Sequence, residues 1–560
     1  IFGILFSRLV DLILSAKLKE NLPLKNGTLA FKFWQMPPVP ISFGIYVFHV
    51  ANPIEVLAGT EVPVVVEKGP YIYRMHIEKV DIKWHDNNTI EYIQPQSFIF
   101  DRDASVGPDT DRFLTINIPY ITVATILQHE YHVIQRIVNS YFISKGESAF
   151  MNRSVYEIWW GYHEPVLEEV AKILKKFNIS SPLLNGKFGF FINRNNTGDG
   201  LYNVFSGIND QFDDYVHIDR WNTLKNLSVW MSDYANEIRG TDGSMQAPLV
   251  NENSELSVFD AYLYRSLKLQ YSSATTYQDV RTLRFHIPYS EFATAAENPD
   301  NAGFCTPNCI PSGAYNMSVA CFYAPVYASL PHFVGGDPYY QSLVRGLRPS
   351  QELHQPFYDI QGVTGVSMRA ARRYQINIRT QSFHYFSSFK NFPLSYLPIL
   401  WIDGVAAIDP GTASMFKEII QDPLDALPYV HGAVFGIGGI LFFVGICLFI
   451  YWRKVNSKSL NKYTKVNNSE NSILNGDTRK SYGTNHTLGN QLNTQHEDSP
   501  AIIEHHVYVN HTTSSPNKVT YENLDASLPH DNSHDQSNYF DTMTSPSVEH
   551  SDKYHTCVET

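Results

Sequence analysis

The sequence predicts an α+β domain over residues 21–427, held to a membrane by apolar helices. Three observations carry that expectation. Short runs alternate in hydrophobicity between turn residues, as strands do; two stretches repeat their apolar residues with the helical period; and one long run lacks charge altogether. Aromatic residues make up 14% of the 560, with 34 Tyr and 34 Phe, which favours strands and broad apolar surfaces.

The elements follow in chain order. IFGILFSRLVDLILSAKLKE (1–20) reads as the exit end of an N-terminal transmembrane helix, with Arg8 and Asp11 one turn apart and Lys17 and Lys19 beyond. A cleaved signal peptide fits less well, because two charges interrupt the apolar run. EVPVVVEKGPYIYRMHIEKVDIKW, TIEYIQPQSFIF and RFLTINIPYI read as strands, with tight turns at Lys68-Gly69-Pro70 and Asp86-Asn87-Asn88. ITVATILQHEYHVIQRIVNSYF then takes the helical period, placing Leu127, Tyr131, Ile134, Val138 and Tyr141 on one face. A second helix is expected in EPVLEEVAKILKKF, with Pro165 in its first turn, Val166, Val170, Ile173, Leu174 and Phe177 as its stripe, and Lys175 and Lys176 at its end. YRSLKLQY, TLRFHIPY and MRAARRYQINIRTQSF return to extended patterns.

From Ala426 to Trp452 there is no Asp, Glu, Lys or Arg. About 20 helical residues cross a bilayer core of about 30 Å, so residues 428–452 are expected to be a C-terminal transmembrane helix. Arg453 and Lys454 place its far end in the cytosol by the positive-inside rule, which leaves residues 21–427 lumenal or extracellular. Residues 453–560 turn to Asn, Ser, Thr, His and Asp and are expected to be a disordered cytoplasmic tail. Its nine histidines are scattered rather than spaced as metal ligands. Gly432 and Gly436 fit small-xxx-small helix packing, consistent with a homo-oligomer.

Several function classes drop out. A net charge of -12 with no Lys/Arg stripe argues against nucleic acid. No Gly-x-Ser-x-Gly elbow, phosphate loop or dinucleotide fingerprint is present, so no enzyme, catalytic residue or cofactor is expected. His129-Glu130-Tyr131-His132 places its second His at i+3, not the i+4 of a zinc helix. Asp101, Asp103, Asp109 and Asp111 lack the Gly and distal Glu of a calcium loop and read as a solvated turn. No metal site is expected.

Cys447 lies in the anchor and Cys557 in the tail, leaving Cys305, Cys309 and Cys321 outside. One bridge and a leftover thiol is the simplest outcome, the spacing allowing Cys305 to Cys309; a zinc site is the alternative, without an evident fourth ligand. Asn26, Asn87, Asn152, Asn178, Asn195, Asn226 and Asn316 begin glycosylation sequons in the domain, whereas Asn467, Asn485 and Asn510 do so in the tail, where no glycan is added.

NPIEVLAGTEVPVVVEKGPYIYR, FDRDASVG, WWGYHEP, NNTGDGLYNVFSG, ENPDNAGFCTPNC, ACFYAPVYASLPHF and LPILWIDG, in that order, resemble signatures of the class B scavenger receptor family, of fatty acid translocase or lysosomal integral membrane protein type. The resemblance implies two transmembrane helices flanking an antiparallel β-barrel capped by a helical bundle, with a lipid tunnel in several members. It implies as partners lipids, fatty acids, sterols or lipoproteins, or a lumenal protein cargo. Cys305 and Cys309 match one bridged pair of the fatty-acid-binding branch, whereas Tyr264, Gly303 and a residue near Tyr234 stand where three of its six cysteines fall, so Cys321 loses its partner. Lys145 sits one place from the cap lysine of those members.

Candidate cap contacts are therefore Ile143, Lys145, Phe150 and Met151, with core packing the alternative. His129 and His132 are candidates for a pH-dependent cap, or simple surface histidines. In the tail, Tyr463 with Val466 and Tyr521 with Leu524 fit tyrosine-based signals for an endocytic adaptor, and Asp498 with Ile502 and Ile503 weakly resembles an acidic di-apolar signal. The expected function is a lipid or lipoprotein receptor that moves its ligand to the membrane. The alternatives are an endolysosomal receptor that sorts a protein cargo and an adhesion or pattern-recognition receptor. The expected location is the plasma membrane, the endosomal-lysosomal membrane, or both, in a multi-pass arrangement.

Overall fold

An antiparallel meander organises the chain. The computed structural model describes residues 2–305 and 309–474. The main strand path is formed by β1 (Ile41–Val50), β2 (Val65–Ile77), β3 (Thr89–Asp101), β4 (Thr197–Phe205), β5 (Ile218–Trp221), β6 (Leu256–Asp260), β7 (Arg265–Tyr277), β8 (Val280–His286), β9 (Phe357–Ile360), β10 (Ser367–Thr380) and β11 (Ser395–Ala407). Their spatial order is β5-β4-β3-β2-β1-β11-β10-β9-β8-β7-β6, so every neighbour is also a neighbour in sequence except at the β1–β11 seam. Three further short strands complete a 14-stranded sheet. Burial falls on alternate positions along β3, where Ile90, Tyr92, Gln96 and Phe98 are buried, as a sheet with one packed face requires.

The path is open, which corrects the closed barrel. β5 and β6 do not pair with each other. Ile218 N of β5 donates to Gly240 O (2.9 Å), and Thr241 bonds β6 through Thr241 N to Ser257 O (3.2 Å) and Phe259 N to Thr241 O (2.9 Å). The irregular stretch 240–241 thus stands where a ladder would close. It approaches so tightly that a Cβ on Gly240, φ 81°, would lie 2.0 Å from Ser257 O.

Lys68-Gly69-Pro70 is not a turn. It lies inside β2, where the register against β1 shifts between Ile45 and Val47. Gly69 takes φ 150° because a Cβ there would sit 2.9 Å from the Tyr46 Cα, so the three residues form a bulge. Asp86-Asn87-Asn88 does turn the chain between Val80–Trp84 and β3, with Asn88 at φ 61°.

The helical stretch expected over 121–142 is two helices, α3 (Ile118–Ile126) and α4 (His132–Ser144), following α1 (Phe2–Asn21) and α2 (Leu29–Gln35). Asn117 caps α3 by accepting from Tyr120 N (3.1 Å), with Pro119 in the first turn. The break at 127–131 survives because the Gln135 amide donates to Glu130 O (2.8 Å), satisfying a carbonyl that the interrupted helix frees. The buried face of α4 is Ile134, Gln135, Val138 and Phe142; Tyr131 stays 80% exposed. Then come α5 (Val155–Trp160), with a Ser154–Glu157 capping box, and α6 (Pro165–Lys175), which buries Val166, Leu167, Val170 and Leu174. Phe177 lies beyond α6 and is exposed.

Where cysteines were expected to be replaced, a buried cationic and aromatic hub stands instead. Arg265 donates to Glu291 O and Asn301 Oδ1 (2.9 Å), pairs with the Glu291 carboxylate (3.5 Å) and lies 3.9 Å over the Phe304 ring. The Trp230 indole donates to Tyr264 O (2.7 Å) and packs edge-on against Phe304. Gly303 is required there, since its Cβ would meet Ser232 Oγ at 2.1 Å. Cys305 and Cys309 are bridged, Cα atoms 4.5 Å apart. Cys321, expected as a leftover thiol, is fully buried and is not a free thiol.

The chain divides into a large unit over residues 1–436 and a second one from residue 437. After α7 (Pro410–Phe416), α8 runs Asp422–Leu474 and carries the uncharged run, its apolar side chains exposed. Among the described residues it lies in the one helical stretch long and apolar enough to cross a membrane; α1 does not reach that mark. Where an irregular tail was expected from Arg453, α8 continues to Leu474, helped by the lack of Pro and Gly over 453–474. Tyr463 stands exposed on it. Val466 and Asn467 fall on it too, with side chains outside the description; Asn485, Asp498, Ile502, Ile503, Asn510, Tyr521, Leu524 and Cys557 lie outside the described residues.

Candidate functional site

The concave face of the sheet encloses a cavity of about 1040 Å³, the size of a lipid-like ligand. Alternation puts its wall together: Met368, Ala370, Arg372 and Tyr374 of β10 face it with Ile402, Gly404 and Ala406 of β11 and Ile41 and Phe43 of β1. Toward the ends of β1, β10 and β11 the lining passes to Leu14 and Leu18 of α1, Phe33 of α2 and Phe416, and then to Leu424 and Leu427 of α8. This end is mostly apolar; its polar lining is Asn21, Thr28, Thr412 and the pair Lys17 and Glu20, 2.7 Å apart.

The other end is polar. Arg372 lies four residues, about 13 Å, along β10 from Met368. Its guanidinium is 3.7 Å from Asp260 Oδ2 and donates to Asp242 O (3.1 Å). Asp242 and Asp199 also face the cavity, with Tyr202, Tyr262 and Tyr374. Behind the wall Lys79, 1% exposed, stands 3.5 Å from Asp242 Oδ2 and 5.2 Å from the centre of the Trp34 ring, with no hydrogen-bond acceptor among the described residues. Burial acts to raise the Asp242 carboxyl, but the charge of Lys79 and hydrogen bonds from Ser244 outweigh it and hold it below its ordinary range. Asp199 has no cation within ion-pairing distance among the described residues, and burial pushes it up to about 6 against the hydrogen bond of Tyr202 and the charge of Arg372. Burial keeps the Tyr202 and Tyr262 hydroxyls protonated donors.

Beyond the polar end the way is shut by aromatic rings. Phe43 packs on Phe98 (5.2 Å), Trp159 (5.4 Å) and Phe191 (6.2 Å); Trp159 stacks on Phe191 at 4.1 Å, and Tyr262 closes on Phe191 at 5.0 Å. These rings join the cavity wall, through Phe43, to α5, which carries Trp159.

The residues singled out from sequence lie elsewhere. Ile143 and Lys145 are exposed at the end of α4, the Lys145 ammonium 5.3 Å from the centre of the Tyr141 ring. Phe150 and Met151 are buried in a short strand paired with residues 112–116, and Phe150 packs on Phe392, so both are core residues. His129 and His132 are exposed, the latter 5.8 Å from the Tyr385 ring. Asp109 and Asp111 are more than a solvated turn, accepting from the hydroxyls of Tyr73 (2.8 Å) and Tyr71 (3.1 Å). Asn26, Asn87, Asn152, Asn178, Asn195 and Asn226 are exposed. Asn316 is 3% exposed, with its amide oxygen accepting from Ser318 N, so a glycan has no room there. No metal-binding cluster occurs among the described residues.

Asp199, Asp242, Arg372 and Lys79 were missed by sequence reasoning. One signal was available: the alternation of MRAARRYQ puts Arg372 on the same strand face as Met368, Ala370 and Tyr374.

On the convex side, His354 and His332 stack at 4.4 Å. His332 accepts from Arg348 N at Nδ1 (3.0 Å) and donates from Nε2 to Glu67 (2.6 Å), which also accepts from the Trp401 indole (2.7 Å). Burial and the adjacent His332 push His354 from 6.5 down to about 4. A histidine depressed in the folded state favours folding fully above its unfolded pKa and loses that contribution as pH falls. Stability is expected to fall by up to about 3 kcal/mol between pH 6.5 and pH 4, and His354→Gln to flatten that slope in a pH series of thermal melts.

The CD36 family model matches residues 1–449. Scavenger receptor class B member 1 of Cricetulus griseus is 32% identical over 446 residues, covering 80% of this chain and 86% of that protein. Lysosome membrane protein 2 of Rattus norvegicus is 33% identical over 445 residues, covering 78% and 90%, and the Homo sapiens protein of the same name has the same identity and coverage. The matched span takes in every strand of the meander, the whole cavity lining and most of the uncharged run. The chain belongs to the CD36 family.

Proposed function

We propose that the protein is a class B scavenger-type membrane receptor that takes lipid into the sheet cavity and releases it to the bilayer. The observation that carries this reading is an apolar cavity whose lining reaches Leu424 and Leu427, where the uncharged run of α8 begins. Burying an acyl chain gains about 0.8 kcal/mol per CH₂, so a sheltered route next to the anchor spares the cost of passing through water. With α1 as a second anchor, both ends of the domain return to one membrane, lumenal or extracellular side outward, at the cell surface or along the endolysosomal route. The exposed sequons from Asn26 to Asn226 are the glycan sites of that orientation.

The test fills the cavity. Ala406 faces it beside Ala370. Ala406→Trp is expected to reduce uptake of a fluorescent lipid to background in cells while surface amount and thermal melt stay unchanged. Unchanged uptake would sink the reading.

A second reading, capture of a protein cargo, is favoured by the exposed apolar face of Tyr131, Val133 and Ile137 at α4. Ile137→Glu is expected to abolish cargo binding and leave lipid uptake intact.

A further inference from the structure

Past the uncharged run, α8 carries charge of one sign. Arg453, Lys454, Lys458, Lys462 and Lys465 are all exposed, and between Asp425 and Glu470 the chain has no Asp or Glu, so no carboxylate on that stretch of helix offsets them. At about 100° per residue, Lys454, Lys458, Lys462 and Lys465 fall within an arc of about 80° and form a stripe about 16 Å long. A helix face that is merely solvated mixes both signs, whereas this one is purely cationic. From Ala426 to Trp452 the helix measures about 40 Å against a hydrocarbon core of about 30 Å, so α8 crosses at a tilt. Tilt lowers one side of its continuation toward the head groups. Were α8 upright, Lys465 would stand about 16 Å above Lys454, beyond the roughly 8 Å over which charge acts at physiological salt. Only a leaning helix brings the whole stripe to the surface.

We propose that Lys454, Lys458, Lys462 and Lys465 dock the cytosolic end of α8 onto the anionic phospholipid head groups of the leaflet it leaves. That surface adjoins the stripe wherever the receptor resides, and its negative potential favours each nearby lysine by about fivefold. Lysine ammoniums are compact point charges rather than forks, which suits a field of head groups more than one phosphate held bidentately. Tyr463, 79% exposed, stands about 140° round the helix from the middle of the stripe, so docking leaves it facing the cytosol. The inference rests on α8 spanning the membrane with Arg453 in the cytosol, and not on the cavity or its ligand.

The experiment places the full chain in lipid nanodiscs with a fluorophore on Asn461→Cys, beside the stripe, after Cys447→Ala and Cys557→Ser. A head-group spin-labelled lipid quenches the fluorophore when the helix lies on the surface. Replacing about 30% of the phosphatidylcholine by phosphatidylserine is expected to raise quenching about twofold or more, and about 0.5 M salt to reverse the rise. With Lys454, Lys458, Lys462 and Lys465 all changed to Gln, quenching is expected to stay at the phosphatidylcholine level in both lipids; the four side chains are exposed, so the helix persists. Equal quenching with and without phosphatidylserine would overturn the proposal and leave the stripe to a soluble acidic partner. A phosphatidylserine effect that survives in the four-lysine variant, or in high salt, would overturn it too. Labelling of Asn461→Cys by an impermeant thiol reagent on intact cells would instead overturn the orientation, and the proposal with it.

Discussion

Arg265→Met is expected to cost the large domain about 3–5 kcal/mol of folding free energy, the usual price of breaking a buried ion pair. Arg265 is 2% exposed, and three things depend on it: the Glu291 carboxylate, Glu291 O and Asn301 Oδ1. Methionine fills much of the space above Phe304 but leaves the buried Glu291 charge without a partner. Two further variants separate charge from packing. Adding Glu291→Gln is expected to restore part of the loss by removing the orphaned charge. Arg265→Lys is expected to fail nearly as badly as methionine, since an ammonium reproduces neither the forked donation nor the flat stacking on Phe304. Denaturant melts of the purified protein check all three. Equal stability of wild type and Arg265→Met would show that the aromatic packing alone holds the region.

Trp159→Ala is expected to cost a similar amount, about 3–5 kcal/mol, and to change the cavity as well. Trp159 is fully buried, stacked on Phe191 and in contact with Phe43, and Phe43 is itself part of the cavity wall. Truncation leaves a void directly behind that wall. The cavity then loses its aromatic stop, and bound lipid is expected to dissociate faster. Trp159→Phe keeps a ring against Phe191 and should cost much less in both measurements. Thermal melts read the first effect, and the off-rate of a bound fluorescent lipid reads the second. A destabilised variant with an unchanged off-rate would mean that the rings support the fold without closing the cavity.

Much of the architecture was legible because it rests on local signals. Alternation marked β2, β3 and β10, and Pro165 with its apolar stripe marked α6. The unbroken apolar run marked α8, though not how far beyond Trp452 it continues. Other features depend on particular hydrogen bonds and pairings that periodicity does not carry. The split between α3 and α4 is held by the Gln135 amide on Glu130 O, a bond that the helical period over 121–142 does not reveal. Gly69 and Pro70 have turn composition, yet pairing with β1 pulls them into a bulge. The site was the least legible part. Asp199, Asp242 and Arg372 come from three segments that look unremarkable alone, and their chemistry arises when the sheet curls them around one space. For Phe150 and Met151 the core-packing alternative holds, since these apolar residues near a loop pair with residues 112–116 and join the core.

The β1–β11 seam has a consequence for biosynthesis. Ile41 pairs with Ala406 in the register, so the first long strand waits for a partner some 365 residues further along the chain. At a ribosomal rate of about 5–20 residues per second, that wait is roughly 20–70 s. Throughout it, β1 presents an unpaired edge, and the apolar cavity wall has nothing to cover it. The same apolar surface that encloses the finished cavity therefore makes the nascent chain a client for chaperones until its last strand arrives.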